Sequence, residues 1–350
     1  MDAASFGALF SILPFGILLG SLLFGPFADR YGYKVIFALA GVVMFTGFQG
    51  IAFASSPLIL KLCVFGFGIG GGALNGGANA VVSDISDQNR GANLSLLGVF
   101  FAIGALGMPS VLGLLQQQFS FEAIVSSIGY LALASTILFF VTKFPEAKQA
   151  HGIAWSAIGK MFNDSFLLLV SFFLFCQCSF EALINNWTTT FLLDKMPLSM
   201  SSALYALSMY VVGMAGMRLL LGKLLRQVAP DIVMFASIGL LIAGSALLQV
   251  STAYGFATVG LVTIGAGLAA GFPVMLGFVG DRYAALSGTA FSMVISIGLF
   301  GSMCVNYIMG HVVELYGVQH LVTATYILTG LMLLFTIGII RKLSLKTTRE

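Results

Sequence analysis

Glu181 is the one acid that lies well inside an uncharged apolar run; Asp84, Asp281 and Glu122 all sit at the ends of such runs. At helical spacing Gln177, Glu181, Asn185 and Thr188 fall on one stripe, and Asn186 and Trp187 lie between the last two in sequence. On a second segment Gly68, Gly72, Asn75 and Asn79 share a face, small residues leading into two amides. Amides offer both donors and acceptors, and an indole such as Trp187 covers the apolar face of a sugar ring. The set suits a neutral polyhydroxyl solute better than a lipid or an organic cation. No Lys or Arg shares the run of Glu181, so protonation is the available way to neutralise it. Glu181 is therefore the expected proton-coupling group, with Asn75, Asn79, Gln177, Asn185, Asn186 and Trp187 as the expected solute-binding set. Plainer readings stand beside these. Asn75 and Asn79 also fit as glue between helices, worth about 0.6–2 kcal/mol each, and Glu181 as a structural acid bonded to a neighbouring helix.

Such side chains need apolar elements to hold them. Hydrophobic residues make up 59% of the 350 and charged residues 8%, against about 25% charged in soluble domains. A soluble enzyme and a disordered chain are both excluded. The apolar runs are long and continuous, which excludes transmembrane strands, so the fold class is an all-α polytopic membrane protein. A formal charge of +3, scattered along the chain, points to no nucleic-acid partner. Cys63, Cys176, Cys178 and Cys304 lie inside apolar runs and read as small packing residues, not as metal ligands or disulfides. Gly66, Gly68 and Gly71 satisfy G-x-G-x-x-G, but inside an apolar run they signal close helix packing. No cofactor or metal is called for. An intramembrane enzyme is disfavoured because no His/Asp/Glu cluster or Ser/His pairing sits together in the apolar runs.

Uncharged stretches run 3–28, 35–60, 62–83, 91–121, 123–142, 196–217, 232–280, 283–313 and 315–340. A span needs about 20 residues, so 232–280 must hold two, broken at Gln249–Tyr254, and 164–193 adds one more. Eleven spans are expected. Lys and Arg then set the orientation. With the loop 29–34 cytoplasmic, 14 of the 16 basic residues fall inside and only Lys61 and Lys195 outside. The expected topology is a multi-pass inner (plasma) membrane protein, N-terminus outside and C-terminal tail inside. Met1-Asp2 offers no basic region for a signal peptide. The linker 146–160 reads as a short surface helix with Trp155 at the interface, Asn163-Asp-Ser165 as an inert sequon, and His311 with Glu314 as a rim pair.

The chain also repeats itself. At one ungapped offset of 197, Gly16 falls on Gly213, Gly25 on Gly222, Gly68 on Gly265, Gly70 on Gly267, Asp84 on Asp281, Gly91 on Gly288 and Ser95 on Ser292. Met1 aligns with Leu198, so the span at 164–193 has no partner in the first half, and its mate would have preceded residue 1. A truncated gene model, a true eleven-span variant and a fragment all fit.

Between the first two spans lies Gly25-Pro-Phe-Ala-Asp29-Arg30-Tyr-Gly32-Tyr-Lys34. Gly32 permits a tight turn, and Arg30 and Lys34 are basic residues facing the cytoplasm. Asp29, near the C-terminal end of its own helix, is disfavoured there and should seek another helix's N-terminus. This string resembles the G-x-x-x-D-R-x-G-x-K loop of the major facilitator superfamily, with an echo at Gly213 to Arg226. The segments Gly70–Asp84 and Phe180–Trp187 resemble the fourth and seventh helices of the family's fucose–hexose permease branch. The fourth-helix carboxylate of some members is replaced here by amides. The resemblance implies two pseudo-symmetric helix bundles with the family's first helix missing. The divisions would be an N-terminal bundle at 1–142, a linker at 143–163, a C-terminal bundle at 164–340 and a tail at 341–350. It also implies that the Asn75 and Glu181 helices line a central cavity, and that Gly25, Asp29, Arg30, Gly32 and Lys34 form a conformational gating loop. The expected activity is secondary active, proton-coupled uptake of a sugar by a monomer in the bilayer. The rivals are a family exporter of drugs or metabolites, or a truncated non-transporting fragment.

Overall fold

The computed structural model describes residues 3–86, 88–149 and 159–347. Its elements are α1 (Ala3–Tyr31), α2 (Tyr33–Phe53), α3 (Pro57–Asp84), α4 (Arg90–Leu115), α5 (Phe121–Val141), α6 (Ser165–Lys195), α7 (Met200–Leu224), α8 (Pro230–Val250), α9 (Tyr254–Leu268), α10 (Gly271–Arg282), α11 (Ser287–Tyr316) and α12 (His320–Thr347). Among the described residues ten helical segments are long and apolar enough to cross a membrane, α9 and α10 counting together as one. Within α4, Arg90–Ala105 is a shorter apolar helix. The expected break at Gln249–Tyr254 separates α8 from α9. A second interruption, at Ala269 and Ala270, divides the span Tyr254–Arg282. The expected surface helix and Trp155 lie largely outside the described residues.

Local chemistry sets these boundaries. Ser56 accepts from the Ile59 amide ahead of Pro57, Ser120 from Ala123, Asp164 from Phe166 and Ser199 from Ser202, each satisfying a donor orphaned at a helix start. Gly32 (φ 83°) and Gly317 (φ 90°) take the left-handed conformation that turns α1 into α2 and α11 into α12. Phe100, Val141, Leu315 and many other large apolar side chains are exposed, as a hydrocarbon surround allows.

Two compact units are present. The first is Met1–Ile85, Gly107–Met161 and Gly280–Ser296; the second is Ser86–Leu106, Phe162–Val279 and Ile297–Glu350. In the first, α3 packs on α1 and α2, and α2 on α5; in the second, α9 packs on α7 and α8, and α12 on α6 and α8. The units depart from the chain halves at two places, the start of α4 and the start of α11. Those two places are repeat mates: Gly91 and Ser95 plus 197 give Gly288 and Ser292. In the first unit Gly288 lies against Gly25 and Asp29, and in the second Gly91 lies against Pro273 and Leu225.

The repeat is also a packing repeat. A Cβ at Gly16 would stand 2.6 Å from the Phe65 carbonyl oxygen, and one at Gly68 2.8 Å from that of Leu13. In the second unit Gly213 meets the carbonyl of Val262, and Gly265 that of Tyr210. Each of these four residues lies 197 beyond its counterpart. Lipid supplies no hydrophobic drive between helices, so small residues that let backbones touch carry the association.

Candidate functional site

The polar residues singled out by sequence are divided between the two units. In the first unit, Asp29 is 3% exposed near the end of α1. Its carboxylate accepts from the amides of Gly288 (3.1 Å) and Thr289 (2.8 Å) and from the Thr289 hydroxyl (2.7 Å). It thus caps the N-terminus of α11, where the helix dipole favours an anion. A Cβ at Gly288 would meet Asp29 Oδ1 at 2.8 Å, so the approach needs glycine. Gly25 lies directly under Gly288 and Ser292. Arg30 and Lys34 are exposed, Arg30 stacking 5.0 Å over the Tyr31 ring.

Beside this cap is a group that sequence reading did not assemble. Asp84 accepts from Tyr33 Oη at 2.6 Å and pairs with Lys148 Nζ at 2.6 Å, while Lys148 also reaches Ser287 Oγ. The Gln149 amide donates to the Asp29 carbonyl at 2.8 Å. The linker therefore touches the ends of α1, α3 and α11 at once. Lys148 had counted only as a topological charge, because its partners are distant in sequence.

Asn75 and Asn79 also belong to the first unit. Asn79 is buried and donates to the Asn75 carbonyl at 2.8 Å, on its own helix. The Asn75 side chain is exposed.

The second unit holds the α6 stripe. Gln177 is 0% exposed, and its amide nitrogen donates both to Glu181 Oε1 (2.8 Å) and to the Leu268 carbonyl (2.7 Å). Leu268 ends α9, so Gln177 donates to a carbonyl at the edge of the Ala269-Ala270 interruption. Gln177 bridges to that break while holding Glu181. Broken helices at membrane depth are tolerated where such partners exist. Both donors of Gln177 are engaged, while its buried Oε1 meets no donor. Asn185 donates to the Glu181 carbonyl at 2.8 Å and is exposed. Asn186 and Trp187 both donate to Asn306 Oδ1 of α11, each at 3.1 Å. Asn306 went unnoticed in the sequence as a lone amide in a long apolar run. Its signal was that same polarity at membrane depth.

A further correction concerns charge. Taking 196–217 as the span put Arg218 in a cytoplasmic loop, but α7 continues to Leu224 and Arg218 is 8% exposed within it. Its Nη1 donates to the Gly98 carbonyl of α4 at 3.1 Å, and Ser95 Oγ donates to its backbone carbonyl at 2.9 Å. The guanidinium interacts electrostatically with Glu181. A positive charge does act on Glu181, from the next helix rather than its own. His311 and Glu314 form the exposed rim contact at 3.9 Å. Among the described residues no group of three or more His, Cys, Asp or Glu is placed to hold a metal.

The family model described as Major Facilitator Superfamily matches residues 1–303. The chain belongs to that superfamily. A relative named "Probable nitrate transporter NarT", from Staphylococcus haemolyticus, is 24% identical over 341 residues, covering 95% of this chain and 87% of that protein. The hexuronate transporter of Bacillus subtilis is 28% identical over 220 residues, 58% of this chain and 51% of its own length. Among solved structures, the Escherichia coli fucose:proton symporter aligns with a TM-score of 0.81 at 17% identity, covering 96% of this chain and 91% of that one. The last likeness shows the superfamily fold. This superfamily member is thus a multi-pass membrane transporter, and the Asp29 cap stands on the loop by which the superfamily was resembled.

Proposed function

We propose that this protein imports a small hydroxylated solute, of sugar type, together with a proton by alternating access. The observation that carries the reading is Glu181. It is a carboxyl in the middle of a membrane helix, tethered by Gln177 and with the Asn185 amide one turn on. Asn186, Trp187 and Asn306 form a second polar group farther along the same helix. Intramembrane acids of this kind mark proton pathways. In this reading Glu181 takes a proton from the outer water, the exposed amides and the indole engage hydroxyls and a ring face, and Gln177 keeps the carboxyl in place. Asn75 and Asn79, in the first unit, are assigned as solute-binding amides of their own helix, Asn79 also donating to the Asn75 main-chain carbonyl. The orientation that follows from positive charge puts Asp29 and the tail after α12 on the cytoplasmic side. The names of relatives differ among themselves: nitrate, hexuronate and fucose transport on one side, multi-drug efflux on the other.

The test is uptake of labelled solutes by energised vesicles carrying wild type or Glu181→Gln. The variant is expected to lose uphill accumulation while keeping solute exchange. Unchanged accumulation in Glu181→Gln returns the residue to a structural role. Pumping of solutes outward by wild type favours the exporter.

A further inference from the structure

Arg218 is not accounted for by the roles above. It lies in α7, and among the described residues its guanidinium has one hydrogen bond, to the Gly98 carbonyl, and no carboxylate within ion-pair distance. Its buried Nε meets no acceptor. An arginine carries five N–H donors and a charge that cannot be discharged. Joining α4 to α7 does not explain that charge. A glutamine could supply the same bond to Gly98 without desolvating a cation, and Ser95 already joins the two helices through the Arg218 backbone. A Cβ at Gly98 would stand 2.7 Å from Nη1 and 3.0 Å from Cζ, so α4 is bare where the guanidinium lies. α7 packs against α6, and from there the Arg218 guanidinium acts electrostatically on Glu181 of the α6 stripe.

We infer that Arg218 binds an anionic group of the solute, and that the solute is a hydroxylated carboxylate, a sugar acid rather than a neutral sugar; this rests on reading the α6 stripe as the solute site. The planar fork of a guanidinium matches a carboxylate with two parallel bonds. The exposed amides of Asn185 and Asn186 and the Trp187 ring remain for hydroxyls and a ring face. Glu181 is the rival anion for Arg218. Ionised, it competes for the cation; protonated, it leaves Arg218 to the solute carboxylate. One proton and one monoanion then move together, and no net charge crosses the membrane.

The experiment uses the full chain in liposomes, with labelled hexuronates, each beside its neutral parent hexose, and nitrate as an anion without hydroxyls. Wild type is expected to prefer a hexuronate over its hexose by at least about tenfold, the equivalent of 1.4 kcal/mol. A pH gradient alone should drive that uptake, and a potassium diffusion potential alone should not. Arg218→Gln should erase the acid preference while the purified variant stays monodisperse, and Arg218→Lys should restore part of it. Equal or better uptake of the hexose, driven by potential, overturns the anionic solute and leaves proton coupling standing. An acid preference kept by Arg218→Gln removes Arg218 from recognition. Uptake of hexuronate that neither gradient drives overturns the proton-coupled reading instead, and uptake of nitrate alone overturns the hydroxylated class. Should Arg218→Gln fail to fold, the wild-type selectivity and driving-force measurements still decide.

Discussion

We propose that the Asp29 carboxylate governs the conformational balance of the transporter. Its three accepted bonds hold the start of α11 against the end of α1, and nothing about them involves the solute stripe on α6. Asparagine keeps the shape, but its NH2 must face the backbone donor of either Gly288 or Thr289, and the charge that the helix dipole favours is lost. Asp29→Asn should weaken this arrangement by about 1–3 kcal/mol, a shift of about 5- to 150-fold in a two-state balance. Turnover should fall while solute affinity in binding assays stays unchanged; lost binding with unaltered cysteine accessibility on both faces would contradict the assignment. Asn306 makes the opposite kind of prediction. It orients Asn186 and Trp187 without being charged, so Asn306→Ala should weaken solute binding by about tenfold, the loss of roughly one hydrogen bond's worth of positioning. With Trp155→Phe leaving Trp187 as the sole indole of the two in the chain, its emission should shift in Asn306→Ala; an unmoved spectrum counts against the contact.

Among the elements, the paired glycines carry the packing. Gly213 and Gly216 sit one turn apart on α7, yet Gly213 touches the Val262 backbone whereas Gly216 faces open space. Gly213→Ala must push α7 from α9 and should destabilise by about 1–3 kcal/mol. Gly216→Ala should be neutral or stabilising by up to about 1 kcal/mol. Thermal unfolding of the two variants in detergent measures this, and equal melting temperatures would show that the close approach is not required. The same logic applies where α9 meets α10. Gln177→Leu removes the bond to the Leu268 carbonyl and frees Glu181, so both stability and coupling should suffer, whereas Gln177→Glu, which cannot donate when ionised, should do no better.

For the molecule as a whole, the features carried by long-range periodicity were legible in the sequence: the helical class, the 197-residue repeat and the loop around Asp29. Charges bounded most helices well because lipid tolerates few of them. The same rule misplaced Arg218, since it treats every arginine as a span boundary and cannot see a carbonyl on another helix that receives it. The Ala269-Ala270 interruption carries no charge, so counting charges passed over it; its signal was Pro273, which has no N–H for the Ala269 carbonyl four residues back. Lys148, Asp84 and Tyr33 were unremarkable singly and meet only through folding. The central claim is that proton and solute move together through Glu181. Its most direct measurement is a pH-sensitive dye inside liposomes carrying the protein, with the membrane potential clamped at zero and the best solute of the hexose and hexuronate panel added outside. Wild type should acidify the interior as solute enters, and Glu181→Gln should admit solute in exchange without acidification. Solute entry into wild type with no change in internal pH, or equal acidification by the variant, would contradict the account.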